Sequence, residues 1–369
     1  MFMQRIEGLT ESEKTVSLHG KSVSQRIVMS FNSPRVRLSD VAAQAGVSVA
    51  TASKALNGTG RMTHETRARI KRVAAELGFR PNAMAQALTR QRSMTVGLLS
   101  NDSYGRFAMP VMSGVSEALM DEGITVFMSN IEDDPDAGQA HLEALLDKQV
   151  DGIIVSGKRI DTRLPIDFSG VSIPVVYVFT DAPEGSVTLV SDDRQGGRDA
   201  VSHLVAQGRK RLVHITGPES FFSARERAAA FTDVMGAQAK VLHGAWSELW
   251  GHEAIDQIWA DGGARPDGIF CGSDQIARGV VDALRERGVA VPQDVSVVGF
   301  DNWEIVAAAT RPPLSTIDMN LKELGREAGR LVLAMSEGEE IEPGIRRVPC
   351  RLVVRTSCGA PLEERDVQQ

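Results

Sequence analysis

Residues 41–57 set two short apolar-faced segments on either side of a single glycine, and few folds accept that pattern. Ala42 is the small side chain that lets two helices cross closely, and Gly46 supplies the left-handed backbone position that the turn between them needs. Val47 fills the corner they leave. Leu38, Val41, Ala42 and Ala45 share one helical face, Ala52, Ala55 and Leu56 a second, and Ile70, Val73, Ala74 and Leu77 a third. Ser48 and Thr63 stand where the N-caps of the second and third helices belong, and Gly78 closes the third. The expectation is an all-α, three-helix domain whose second helix exposes Ser48, Val49, Ala50, Ser53 and Lys54.

Charge indicates what such a domain would meet. Residues 34–93 hold eleven Lys and Arg against three Asp and Glu, a net +8, and the first 33 residues add +1. The whole chain is −7, so residues 94–369 carry −16. A basic head on an acidic body is the footprint of a polyanion-binding module tethered to something else. Two-helix motifs of this kind insert the start of the second helix into the major groove of DNA. Lys54 can donate to guanine O6 and N7, although without the rigid fork of an arginine. Val49 and Ala50 offer only apolar contact, for example to a thymine methyl. Ser48, Thr51 and Ser53 suit phosphate oxygens, which position a module without reading sequence.

From residue 94 the rhythm changes. Apolar runs at 95–99, 125–128, 152–155, 175–179, 212–215, 268–270 and 295–299 alternate with amphipathic stretches at 111–122, 137–148, 200–207, 224–234 and 277–287. Strands alternating with helices imply parallel, doubly wound sheets. Roughly 265 residues exceed one such sheet, so two similar lobes are expected. Ligands of open parallel sheets bind at the carboxyl ends of the strands, and two facing lobes would form a cleft there.

Other classes find little support. No apolar run approaches the ~18 residues of a membrane span. Residues 1–33 show no apolar secretory core and little periodicity, and are expected to be a mostly disordered extension, with Met29 an alternative start. Cys271, Cys350 and Cys358 lack metal-ligand spacing and fit reduced thiols in a cytoplasm. Dinucleotide, phosphate-loop, zinc-protease and nucleophile-elbow motifs are missing. His214, His252 and Glu253 are scattered, and are taken as structural. No catalytic residue, metal or cofactor is therefore assigned.

The stretch Asp40-Val41-Ala42, Ala45-Gly46-Val47-Ser48 and Thr51-Ala52-Ser53-Lys54-Ala55-Leu56-Asn57-Gly58 resembles the DNA-binding head of the LacI/GalR family of bacterial repressors. The likeness spans residues 37–93, and residues 94–360 resemble that family's periplasmic-binding-protein-like core. The resemblance implies DNA contacts from Ser48, Val49, Ala50, Thr51, Ser53, Lys54 and Asn57. Two departures stand out: Lys54 occupies a position where arginine is also common, and Arg37 one where the first helix more often has a threonine cap. The expected organisation is an extension (1–33), a helix-turn-helix domain (34–79), a hinge helix and linker (80–93), a two-lobed ligand-binding and dimerisation core (94–360) and a tail (361–369).

The segment after the third helix begins Arg80-Pro81-Asn82. Pro81 stops one element and Asn82 caps a short new one. A helix of about eight residues is marginal alone in water and folds only when something packs on it. In the family this is the hinge helix, which pairs with a second copy in the minor groove of the operator. The resemblance assigns Asn82, Ala85 and Leu88 to DNA contact there, with Leu88 as an apolar wedge between base pairs. Arg90 and Arg92 would add phosphate contacts nearby.

For the core, the resemblance points to a small-molecule cleft. Arg227 matches the family's ligand-clamping arginine, Ser223 a neighbouring hydrogen-bonder, and Asp301 the carboxylate that receives ligand hydroxyls. Ser273 follows the 268–270 strand, Trp246 falls at an aromatic platform, and Tyr104 and Phe107 would line the first lobe. Phe179 stands where sugar-binding members often have Asp, which makes one side of the site less polar. Asp, Arg and an aromatic face suit a sugar. The expected protein is a homodimeric or tetrameric repressor of a carbohydrate operon, acting in the cytoplasm on a pseudo-palindromic operator and released by a sugar or sugar derivative. A co-repressor ligand such as a nucleobase is the alternative, and a solute-binding receptor a third reading.

Overall fold

The structure is a computed structural model that describes residues 36–79 and 92–359. Asn82, Ala85 and Leu88, with most of the expected hinge, lie outside the described residues, as do the N-terminal extension and the C-terminal tail. The chain divides into two compact units, Met1–Ala85 and Gln86–Gln369.

In the first unit α1 (Leu38–Ala45), α2 (Val49–Leu56) and α3 (His64–Glu76) pack around Val41, Ala42, Ala45, Ala52, Ala55, Ile70, Val73 and Ala74. Gly46 takes φ +65° and ψ +39°, the left-handed turn between α1 and α2. The Ser48 hydroxyl accepts from the Thr51 amide at 3.1 Å, and Thr63 from Thr66 at 3.2 Å. Arg37 cannot accept a bond as a threonine cap would. The Asp40 carboxylate compensates in part by accepting from the Arg37 amide at 2.8 Å, and it sits in the first turn, where the helix dipole favours negative charge.

The second unit contains two six-stranded sheets. The first is built from β1 (Thr95–Ser100), β2 (Thr125–Asn130), β3 (Gly152–Arg159), β4 (Val175–Thr180), β5 (Val187–Ser191) and β11 (Gly344–Val348), ordered β11-β5-β4-β3-β1-β2 and parallel throughout. The second uses β6 (Leu212–Thr216), β7 (Val241–His243), β8 (Gly268–Cys271), β9 (Ser296–Asp301), β10 (Ser315–Asp318) and β12 (Arg351–Val353), ordered β12-β10-β9-β8-β6-β7, with only β12 antiparallel. The two lobes therefore repeat one topology, β1 corresponding to β6, β3 to β8 and β4 to β9. Helices α4 (Ala108–Met120), α5 (Pro135–Asp147) and α11 (Leu321–Ser336) cover the first sheet, and α6 (Asp193–Ala206), α7 (Phe222–Met235), α8 (Glu248–Ala260), α9 (Asp274–Glu286) and the single turn α10 (Glu304–Ala307) belong to the second.

The chain passes between lobes three times, and the passages bond to one another. The Ser191 hydroxyl donates to the Met319 carbonyl at 2.7 Å, the Asp192 amide to Val348 at 3.0 Å, and the Asn320 side chain to Pro349 at 3.2 Å. The α8 and α11 segments, the single turn α10 and the short strands β5, β7, β10, β11 and β12 fall outside the rhythm the sequence displays. Most of those strands are too short to develop a period.

Helices α4 and α11 cross at van der Waals distance. A Cβ on Gly114 would lie 1.9 Å from the Lys322 carbonyl oxygen, and one on Gly325 2.0 Å from that of Val111. Gly251 of α8 and Gly279 of α9 make the equivalent crossing in the second lobe. Because backbone is the obstacle, no side-chain rotation relieves it. Gly114→Ala is expected to destabilise the core by about 1–3 kcal/mol or more, read as a lowered melting temperature of the full chain. An unchanged melting temperature would mean that the crossing is looser than these contacts indicate.

Candidate functional site

On α2, Ser48, Val49, Ala50 and Lys54 are exposed, and Thr51, Ser53 and Asn57 are half-buried. Val49 keeps 49% of its surface in water, high for an apolar side chain at the start of a helix. The Ser48 and Thr51 hydroxyls bond to each other at 2.8 Å, so part of their capacity is committed to the cap. Asn57 donates to Ser53 at 3.4 Å. Arg67 braces the loop after α2 by donating to the Gly60 carbonyl at 3.1 Å, whereas Arg61, Arg69, Lys71 and Arg72 are exposed. The face is basic, and Lys54 is its one long polar side chain on α2.

A cavity of about 260 Å³ lies between the lobes of the second unit, at the carboxyl ends of the strands. Arg106 and Phe107 come from the loop after β1, Lys158, Arg159, Ile160 and Asp161 from the end of β3 and beyond, and Phe179 from β4. The second lobe contributes Phe221 and Ser223 around the start of α7, Arg227 one turn on, Trp246, Ser273, Asp301 and the crossover residue Met319. A larger hollow of about 1040 Å³ borders the amino end of β4 and residues 163–174. It sits at the wrong end of the sheet for a ligand of this architecture, and the smaller cavity is the candidate site.

The aromatic side chains are held by specific contacts. Phe107 and Phe179 stack with centroids 5.2 Å apart, and Phe221 meets Trp246 edge-on at 5.8 Å. Trp246 lies so close to Gly217 that a Cβ there would fall 2.2 Å from its ring. The Arg159 guanidinium sits 3.6 Å from the Phe221 centroid and donates to Asp161 at 3.0 Å. Asp161 in turn accepts from the Phe222 amide at 2.8 Å, tying the first lobe to the start of α7.

Beneath the cavity lies a buried ionic network. Arg227, 3% exposed, donates through Nε and Nη2 to Asp193 at 2.8 and 2.6 Å, and through Nη1 to the Gly272 carbonyl at 2.6 Å. Its guanidinium lies 3.5 Å from the Phe300 centroid, and Nη1 is 3.7 Å from Asp301. The opposite oxygen of Asp301 pairs with Arg106 from the other lobe. Burial pushes the Asp301 carboxyl above its usual range, against the pull of the two guanidiniums. Asp274, which accepts from Thr316 at 2.6 Å and the Trp303 amide at 2.7 Å, is also pushed up by burial and by the Asp301 charge. Asp301 and Phe179 have φ of +111° and +52°, conformations uncommon for residues with a Cβ, and they occupy corresponding strand ends in the two lobes.

Seven of the eight residues expected in the cleft line this cavity together: Phe107, Phe179, Ser223, Arg227, Trp246, Ser273 and Asp301. Tyr104 does not. It lies in the turn before Gly105, is 97% exposed, and takes no part in the wall that Phe107 helps to form. Ser273 also caps α9, accepting from the Ile276 amide at 3.2 Å. Arg92 donates to Ser336 at 2.8 Å and to Glu337 at 3.0 Å in the core. The sequence reading missed Arg106, Lys158, Arg159, Ile160, Asp161, Phe221 and Met319. Most follow the carboxyl end of a parallel strand, and that rule alone would have drawn attention to them. His214 is buried between Phe231 and Phe270, donates from Nδ1 to the Phe270 carbonyl at 2.9 Å, and burial pushes its pKa down to about 3, so it is neutral. Among the described residues, no group of His, Cys, Asp and Glu is placed to hold a metal, and no helix is long and apolar enough to cross a membrane.

A helix-turn-helix head and a two-lobed binding core define a DNA-binding transcriptional regulator that senses a small molecule. Residues 37–82 match the model of bacterial regulatory proteins of the lacI family, and residues 201–358 that of the periplasmic binding protein-like domain. The chain belongs to the lacI family of bacterial repressors. The repressor CytR of Escherichia coli K12 is 29% identical over 330 residues, which cover 88% of this chain and 96% of CytR. The lac repressor dimer bound to operator and the anti-inducer ONPF superposes with a TM-score of 0.69 at 26% identity, covering 88% of this chain and all of that one. The CelR–cellobiose complex gives 0.60 at 28% identity, with 88% and 100% covered.

Removing one member of a buried ion pair leaves the others uncompensated. Arg227→Met, which strands Asp193 and weakens the compensation of Asp301, is expected to cost about 3–5 kcal/mol, measured by denaturant unfolding of the core transition. A loss below about 1 kcal/mol would show that the network is not a structural hub.

Proposed function

We propose that the protein is a homodimeric repressor of a carbohydrate-utilisation operon, released from a pseudo-palindromic operator when a sugar or sugar derivative enters the cleft between the lobes. The observation that carries this reading is the combination at one cavity of a carboxylate whose side chain is only 7% exposed, Asp301, with the aromatic faces of Trp246, Phe107 and Phe179. A carboxylate accepts from vicinal hydroxyls, and an aromatic ring covers the C–H face of a sugar ring. The cellobiose complex of CelR and the operator-bound dimer of the lac repressor are consistent with it. The protein acts by binding alone, without catalysis, in the cytoplasm where its DNA lies.

Each head offers one strong base-reading side chain, Lys54, with apolar contacts from Val49 and Ala50. One head binds weakly, so affinity requires two heads on two half-sites, assisted by Leu88 as a minor-groove wedge and by Asn82 and Ala85 beside it. Effector binding changes the spacing of the two hinges and so biases operator binding, and by linkage operator binding biases effector affinity equally. A second reading, a nucleobase co-repressor, is favoured by the stacked Phe107–Phe179 pair, whose flat face suits an aromatic ring.

Two measurements test this reading. Titrated into the protein–operator complex, an inducing sugar weakens operator binding, and Asp301→Asn removes that response. A ligand that strengthens binding establishes the co-repressor reading, and an unaltered response in the variant removes Asp301 from the site. Lys54→Ala is expected to relax base preference at one operator position by ~1–3 kcal/mol across a set of operator variants. A uniform loss at all positions would reassign Lys54 to phosphate.

A further inference from the structure

Arg106 leaves the first lobe directly after β1, yet its polar partners all belong to the second. Its guanidinium pairs with Asp301 and donates from Nη1 to Gln275 at 3.1 Å, while lying 4.8 Å from the Trp303 centroid and 5.1 Å from that of Phe107. Its Nε is buried with no hydrogen-bond partner among the described residues. Asp301 does not depend on Arg106 alone, since Arg227 approaches its other oxygen at 3.7 Å. The pair is therefore exchangeable from the Asp301 side. Ligand hydroxyls can replace the guanidinium at Asp301, with Arg227 still balancing the charge.

The exchange is not free from the Arg106 side. Once displaced, Arg106 is a largely desolvated cation with an unpaired Nε, and a neutral hydroxyl oxygen compensates it poorly. An anionic group that accepts two parallel N–H bonds compensates it well. The surrounding rim has the same preference. The ionic side chains that face the cavity are Arg106, Lys158, Arg159 and Arg227 against Asp161 and Asp301. Among the described residues Lys158 is balanced by Asp133, a partner 62% exposed, and screened pairs of that kind give way at little cost. A volume of about 260 Å³ is just below the ~300–1,000 Å³ of ordinary ligand sites and suits a single-ring molecule.

We propose that the effector is a monosaccharide-sized hydroxy acid, whose hydroxyls go to Asp301 and whose anionic group goes to Arg106, splitting the pair that spans the cleft. This inference rests on the carbohydrate reading above and makes Arg106 the residue that selects charge. A carboxylate (a uronate) and a phosphate (a hexose phosphate) share this chemistry, and the test separates them.

Calorimetric titration of the full chain compares D-glucuronate and D-galacturonate with D-glucose and D-galactose, and each hexose with its 6-phosphate. At least one acid is expected to bind tenfold or more tightly than its own neutral parent. Arg106→Met should bring that pair within threefold, while Arg106→Lys, which keeps the charge, should retain part of the preference. Preference for a hexose phosphate over both uronates upholds the proposal and identifies the anion as phosphate. If no acid binds more tightly than its parent, the proposal is overturned. A neutral hexose that binds under that outcome leaves the carbohydrate reading standing, and a free nucleobase such as adenine binding in place of every sugar removes both. A preference that persists undiminished in a folded Arg106→Met chain also overturns the assignment.

Discussion

The ionic network around Arg227 fixes the geometry on which the cleft depends. Asp193 opens α6, Arg227 lies on α7, Gly272 follows β8 and Asp301 ends β9, so one guanidinium and its partners join four elements of the second lobe. Charges so deeply buried are tolerated only when paired and hydrogen-bonded. That requirement restricts how the four elements can shift independently. It also sets a carboxylate oxygen at the floor of the cavity, the position from which a polyol can be held. Through Asp301 the network reaches Arg106, and so passes from one lobe to the other. On the proposed function, a ligand at Asp301 would compete with a contact that bridges the lobes, which would give binding a direct route to changing their relation.

The repeated topology of the lobes explains why the cleft sits where it does. Both sheets turn their strand carboxyl ends to the same gap, and corresponding strand ends hold Phe179 on one side and Asp301 on the other. Both residues have positive φ, a strained choice for side chains of that kind. In the first lobe the position carries an aromatic ring, stacked on Phe107, and in the second a buried carboxylate. One wall is therefore apolar and the other polar. The glycine-lined crossings of α4 with α11 and of α8 with α9 are the scaffold behind these walls, since each brings two backbones into contact.

How much was legible in the residues differs between the two units. The head is local: its helices, turn and caps are set by neighbours within a few positions, and Gly46, Ser48 and Thr63 behave as their types require. Arg37 shows the limit even there, because its cap is partly replaced by the Asp40 carboxylate. In the core, apolar runs marked the longer central strands, but β7 and β12, three residues each, left no period to detect. Tyr104 and Phe107 looked alike from their place after the first strand, and the fold sent one to solvent and the other to the cavity wall.

The sequence by itself determined the class of the protein: a basic three-helix head that reads DNA and an acidic body of alternating strands and helices. Periodicity, capping and charge are properties of short stretches of chain and need no distant partner. Only the tertiary structure decided which ionisable groups face one another. Arg106 and Asp301 are 195 positions apart, and Arg227 and Asp193 are 34 apart. The first pairing depends on the chain's passage from one lobe to the other and the second on the packing of α6 against α7, neither of which a local pattern encodes, and burial then makes both consequential by removing the water that would otherwise screen those charges.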